Sequence, residues 1–148
     1  MRNSKIRNSG LRANRPSILS SALVALLVSA CAGQWEPPGG PLSAEVQGKS
    51  AIRALQRVNE RAYACWIRSG DKDFAAYALV PELDSRANDP RILIVEKGEA
   101  RGLPVLVISA SGAEPVRITT FGSLTDKAVS TRINADVLAW SAGRTSCS

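Results

Sequence analysis

The stretch RILIVEKGEARGLPVLVISASGAEPVRITTF, residues 91–121, decides the fold. It holds three short runs rich in Ile, Val, Leu and Thr, namely Arg91 to Glu96, Leu103 to Ser109 and Val116 to Phe121. Gly98 to Gly102 and Ser111-Gly112-Ala113 separate them. Branched and large apolar residues bounded by glycine-containing turns read as strands, and connectors this short join antiparallel neighbours. The stretch is therefore a meander. Upstream, Phe74 to Val80 predicts one further strand, and Pro81 to Pro90 a surface loop.

On both flanks the apolar period changes from two to three and four. Between Ala44 and Trp66, Ile52, Leu55, Val58, Ala62 and Trp66 fall on one helical face, with Ser43 as N-cap, Glu45 in the first turn and Gly70 beyond the end. Between Thr131 and Ala142, Ile133, Val137 and Trp140 continue the spacing begun by Val129, and Gly143 terminates it. The order helix, four strands, helix predicts an α+β domain over residues 45–148. Its antiparallel sheet has four to five strands, with the N-terminal and C-terminal helices side by side on one face. No internal repeat or low-complexity tract interrupts it.

Ile92 and Ile94 alternate with Leu93 and Val95, and Val105 and Val107 with Leu106 and Ile108, so both faces of the central strands are apolar. Two helices cover only one face. The other predicts an envelope protein partner, a homodimer, or a sheet bent enough to cover itself.

Ahead of the domain, Arg2, Lys5, Arg7, Arg12 and Arg15 stand without an acidic residue, and Ile18 to Ala30 form a small and apolar run. A basic start, a short apolar middle and small residues at the end make a secretory leader. Spanning the hydrocarbon core takes about 20 apolar residues, and this run is shorter and broken by Ser20 and Ser21. It ends on Val28-Ser29-Ala30-Cys31, which resembles the lipobox of bacterial lipoproteins. The resemblance implies a signal peptide over 1–30 cleaved before Cys31, diacylglycerol on the Cys31 thiol, and acylation of the new amino terminus. Residues 31–44 are then a lipidated N-terminus and a Pro/Gly-rich tether. Within it, Trp35 is placed either among lipid headgroups or against the domain. In that class an aspartate after the acylated cysteine favours inner-membrane retention. Ala32 there implies the outer membrane, with the domain facing the periplasm.

Removing the leader changes the charge. Of 19 basic side chains five lie in it, leaving fourteen against 13 acidic ones. The basic pI of 9.7 belongs to the leader, and nucleic acid is dropped as a partner. The odd cysteine count resolves in the same way, since lipidation of Cys31 leaves Cys65 and Cys147 in an oxidising compartment, where a pair of thiols forms a structural disulfide. Closing the long loop between them contributes on the order of 2–4 kcal/mol. There is no CxxC motif and no histidine, so a redox pair or a metal site is the weaker reading.

The disulfide then constrains the topology. Four up-and-down strands return the chain to the end of the sheet where the first helix stopped, and a second helix rising from there would carry Cys147 away from Cys65. The expectation is that residues 122–130 cross to the opposite end, as an extended connection or as a fifth strand over Asp126 to Thr131. The helix C-termini are then stapled together, with Trp66 and Trp140 packed near the bridge.

Catalysis has no recognisable constellation, so no catalytic residue, no metal ligand and no cofactor is assigned. Gly48-Lys49-Ser50 matches the end of a phosphate-binding loop, but Ser43 stands where the first glycine belongs and no strand is predicted before it. Asp71 and Asp73 around Lys72 are too few for a calcium loop and read as a solvated turn. Lys49, Arg53, Arg57 and Arg61 recur every four residues along the first helix, a candidate face for an anion or a partner that is otherwise ordinary solvated surface. The expected function is a lipid-anchored, non-enzymatic interaction or assembly module of the cell envelope. The second reading is a binding module for a phosphorylated glycan or lipid through that basic face, and a hydrolase or enzyme inhibitor ranks below both.

Overall fold

The computed structural model of the protein describes residues 39–84, 89–99 and 102–148. The strands are β1 (Leu42–Val46), β2 (Tyr77–Glu82), β3 (Arg91–Glu96), β4 (Leu106–Ser111) and β5 (Val116–Phe121), and the long helices are α1 (Ala51–Ala62) and α2 (Ser130–Ser141). They form one five-stranded antiparallel sheet in the order β1-β5-β4-β3-β2, with both helices on one face. This is the expected α+β architecture, and its meander is the one read from residues 91–121.

The fifth strand is not where the sequence placed it. Residues 122–130 are neither a strand nor a crossing. They hold a short 3₁₀ turn, Ser123–Asp126. The added strand is β1, which pairs with β5 from Leu42 opposite Thr120 to Val46 opposite Val116. It takes residues expected to form the end of the tether and the first turn of the helix. β5 would otherwise be a bare edge, and β1 satisfies its outward backbone groups. Consequently the N-cap is Ser50, not Ser43. Ser50 has extended backbone, φ −160° and ψ 125°, and its side chain accepts from the Arg53 amide.

Smaller shifts have local causes. Phe74 leaves the predicted strand for a 3₁₀ turn, Lys72–Phe74, where Asp71 caps the turn and the ring is buried. β2 runs on through Pro81 because it is an edge strand, where a missing N–H is tolerated. β4 starts at Leu106 because Pro104 donates no hydrogen bond and Leu103 is 92% exposed.

Ala54, Leu55, Val58 and Ala62 of α1 face the sheet and are fully buried. Below them lie Ile92, Ile94, Leu106, Ile108 and Ile118, all with no solvent exposure. Each large apolar side chain so buried contributes about 1.5–3 kcal/mol. α1 continues into one π-helical turn, Tyr63–Ile67, which points Cys65 and Trp66 inward. Trp66 stacks on Phe74 at 4.5 Å and 6°, and meets Trp140 of α2 at 5.0 Å and 52°. The tryptophans complete the core as expected.

The two helices run antiparallel, which corrects the expected stapling of their C-termini. Arg57 reaches the Ser141 carbonyl, Trp66 reaches Asp136, and Asp71 reaches Arg132, so positions rise along one segment as they fall along the other. α2 does start at the end of the sheet where α1 stops. What brings Cys147 back is the tail. Gly143, with φ +96°, reverses the chain. The five residues after that turn, 144–148, span about 17 Å when extended, enough to retrace most of a twelve-residue helix of about 18 Å. Trp140 Nε1 donates to the Ser146 carbonyl at 2.9 Å and Arg132 Nε to Ser148 Oγ at 3.3 Å, which fix the tail along that return path.

A polar clasp holds the entry to the sheet. The Leu42 amide donates to Thr120 Oγ1 at 3.1 Å, Thr120 Oγ1 donates to Asn134 Oδ1 at 3.0 Å, and Asn134 Nδ2 donates to the Gly40 carbonyl at 2.9 Å. Thr120 and Asn134 are buried, and the chain satisfies them by locking β1 to α2.

Candidate functional site

Among the residues singled out in the sequence, Cys31 and Trp35 lie outside the described residues. Cys65 and Cys147 are bonded, with Cα atoms 5.5 Å apart. The basic stripe does not survive as one surface. Lys49 precedes α1 and is exposed, and Arg53 is exposed on its first turn. Arg57 and Arg61 are half-buried and turn toward the C-terminal segment. Arg57 Nη2 donates to the Ser141 carbonyl, neutralising one of the free acceptors at the end of α2. Arg61 Nη2 lies 3.4 Å from Cys65 Sγ and 3.7 Å from Cys147 Sγ. The Nε atoms of both arginines are buried without a hydrogen-bond partner.

The Gly48-Lys49-Ser50 segment does follow a strand, β1, contrary to expectation. Ser43 still occupies the place of the first glycine, and it lies within that strand. Ser50 spends its hydroxyl on the helix cap and Gly48 accepts from the Glu114 amide at 2.9 Å, so the segment is a strand-to-helix link.

The turn holding Asp71 and Asp73 is solvated at Lys72 and Asp73, as expected, while Asp71 is half-buried. Both aspartates face Arg132, whose Nη2 donates to Asp71 Oδ2 and whose Nη1 lies 3.4 Å from Asp73 Oδ2. Arg132 also stands 3.8 Å from Asp136 and 5.6 Å from the Phe74 ring centre. Its hydrogen bond holds the Asp71 carboxyl below its ordinary range, and Asp71 in turn raises Arg132 above its own. The spacing of Arg132 and Asp136, four apart on a helix, was a readable signal. The link to Asp71 was not, because it spans the whole sheet in sequence. Among the described residues no group of three or more His, Cys, Asp or Glu side chains is placed to hold a metal ion.

The sheet face away from the helices is the surface that the sequence anticipated. Strand alternation sends Leu93, Val95, Val107, Ser109, Thr119 and Phe121 to it. Val95 and Val107 are already 2% and 6% exposed, Leu93 is half-buried, and Phe121 is 51% exposed. Part of the face is thus removed from solvent. Phe121, Val107, Ser109, Arg91 and Asp89 line an open groove of about 270 Å³ along it. Ser109 Oγ and Thr119 Oγ1 are 2.7 Å apart, and the cross-strand pairs Arg91–Glu82 and Arg117–Glu45 flank the face near its two edges. With Phe121 and Val107 beside Asp89, Arg91, Ser109 and Ser111, the groove offers one exposed aromatic among polar and charged groups, a mixture suited to a short segment of chain. The missed element was the groove itself, since depth depends on how five strands twist.

Compared with known protein families, curated proteins and solved structures, the chain has no match in any of the three.

Proposed function

We propose that this chain is a lipid-anchored envelope protein, held at Cys31 in the outer membrane and facing the periplasm, that works as a non-enzymatic interaction module. Its docking surface is the open sheet face. The observation that carries this reading is Phe121, a large aromatic half exposed beside a groove on a sheet face with an otherwise largely buried apolar floor. Exposed aromatic side chains, Phe among them, are enriched in protein interfaces relative to the rest of the surface. The anionic-ligand reading keeps only Lys49 and Arg53 as exposed cations on its proposed face, because Arg57 and Arg61 are engaged within the fold.

A photo-reactive residue at position 121 of the full chain, expressed in its own host cells, tests the reading. An adduct with one defined envelope protein, re-formed from purified components and kept when Lys49 and Arg53 are neutralised, supports it. Absence of any adduct from position 121, with adducts from position 53, overturns it in favour of the basic face. In parallel, Cys31→Ser removes the acyl label, and continued labelling overturns the anchor.

A further inference from the structure

We infer that the Cys65–Cys147 bridge is a thiol–disulfide exchange site, opened by an external dithiol that attacks Cys147 and expels Cys65 as a thiolate beside Arg61. Three observations converge. Cys147 lies in the exposed tail while Cys65 is only 2% exposed, so an incoming thiolate meets one sulfur and not the other. Arg61 Nη2 is within reach of both sulfurs, at 3.4 Å and 3.7 Å. Its buried Nε has no acceptor, and the ion pairs among the described residues involve Arg91, Arg117 and Arg132 instead.

A disulfide sulfur is a weak acceptor, whereas a thiolate is a charged and strong one. Arg61 is therefore underused while the bridge is closed and gains a partner when it opens. Burial alone would hold a Cys65 thiol protonated, and an adjacent cation reverses that tendency. Because exchange is faster when the leaving thiol has a low pKa, Arg61 speeds departure of the sulfur that leaves, and the exposure of Cys147 to attack makes that sulfur Cys65.

The chemistry balances with a dithiol as the reductant. Its first thiolate bonds to Cys147 Sγ, the Cys65–Cys147 bond breaks, and the electron pair stays on Cys65. Its second thiol, once deprotonated, attacks the mixed disulfide, leaves as an oxidised disulfide, and expels Cys147 as a thiolate that takes up a proton. Two electrons pass from the dithiol to the bridge. The tail after Gly143 is then held by the Arg144 amide on the Ala139 carbonyl and by its contacts through Ser146 and Ser148, over the fully buried Trp140.

The test uses the purified full-length mature protein with dithiothreitol and glutathione buffers, following free thiols by alkylation and mass. Arg61→Met is expected to slow reduction about tenfold and to lower the equilibrium constant for reduction about tenfold, equivalent to about 30 mV, while Arg61→Lys stays near wild type. The mixed disulfide trapped with glutathione maps to Cys147. Loss of a purely structural arginine would loosen the site and speed reduction, so an equal or faster rate in R61M overturns the inference. If R61M does not fold, the reduced wild-type protein decides: alkylation of Cys65 that titrates below the ordinary thiol pKa of about 8.5 supports it, and titration at or above that value overturns it.

Discussion

The indole Nε1 of Trp66 donates to Oδ2 of Asp136 at 2.8 Å, joining the turn after α1 to the middle of α2 in the protein interior. Both residues are buried, Trp66 completely and Asp136 to 3% exposure. A carboxylate so placed requires donors, and Trp66 supplies one from the core while Arg132 approaches from the rim. The same indole ring stacks on Phe74, so a single side chain serves both the apolar packing and the polar link.

Trp66→Phe removes the donor while keeping an aromatic ring. Charged hydrogen bonds of this kind are worth about 1.5–3 kcal/mol, and the lost ring volume adds to that. The expected destabilisation is about 2–4 kcal/mol in urea unfolding. Asp136→Asn keeps an acceptor for the indole and is expected to cost less than Trp66→Phe.

Arg132→Met tests the electrostatic rim. Since Arg132 lowers the Asp71 pKa in the folded protein, the contribution is present above the unfolded carboxylate value near 3.9 and is lost as pH falls through the depressed folded value. At pH 7 the variant is expected to be less stable by about 1–3 kcal/mol. The gap between variant and wild type narrows below about pH 4. A gap constant from pH 7 to pH 2 in chemical denaturation would refute this account.

Gly122 leads from β5 toward α2 with φ +131°, and a Cβ there would lie 2.4 Å from the Val105 carbonyl oxygen. Neither the backbone nor that oxygen has room to yield, because the Leu124 amide donates to the same oxygen at 2.9 Å. Gly122→Ala is expected to cost about 3 kcal/mol or more, read from the thermal midpoint. Gly143→Ala, with open space around its Cβ position, costs less, about 1 kcal/mol for the left-handed backbone alone.

Ser50→Ala and Ser43→Ala distinguish the observed start of α1 from the one the sequence spacing proposed. The first loses the cap to Arg53 and is expected to cost about 1 kcal/mol. The second changes an exposed strand position and is expected to stay within about 0.5 kcal/mol. Equal costs in equilibrium unfolding would contradict the strand assignment.

The meander from Arg91 to Phe121 was legible because alternating apolar residues and glycine turns are local signals, and α1 and α2 because their period is local too. β1 was not. Leu42-Ser43-Ala44-Glu45-Val46 has little strand propensity of its own, and its conformation comes from the edge of β5, a partner distant in sequence. The candidate site divides in the same way. Strand alternation revealed that two faces of the sheet are apolar, but the low exposure of Val95 and Val107 and the groove beside Phe121 depend on the tertiary fold. The four-residue recurrence of basic side chains predicted a shared stripe, yet α2 and the tail draw Arg57 and Arg61 inward.

The sequence by itself determined the class of fold and the packing role of Trp66 and Trp140, because each follows from local period or bulk. It pointed to the pairing of Cys65 with Cys147 only through the expectation that Cys31 is lipidated, and the structure shows that bond. Only the tertiary structure decided the direction of α2 and the route by which Cys147 returns. A disulfide requires its two Cα atoms to be close and says nothing about the path between them. A glycine turn followed by a tail nearly as long as the helix meets that requirement as well as a crossing connection does, and the choice between them rests on packing among residues far apart in the chain.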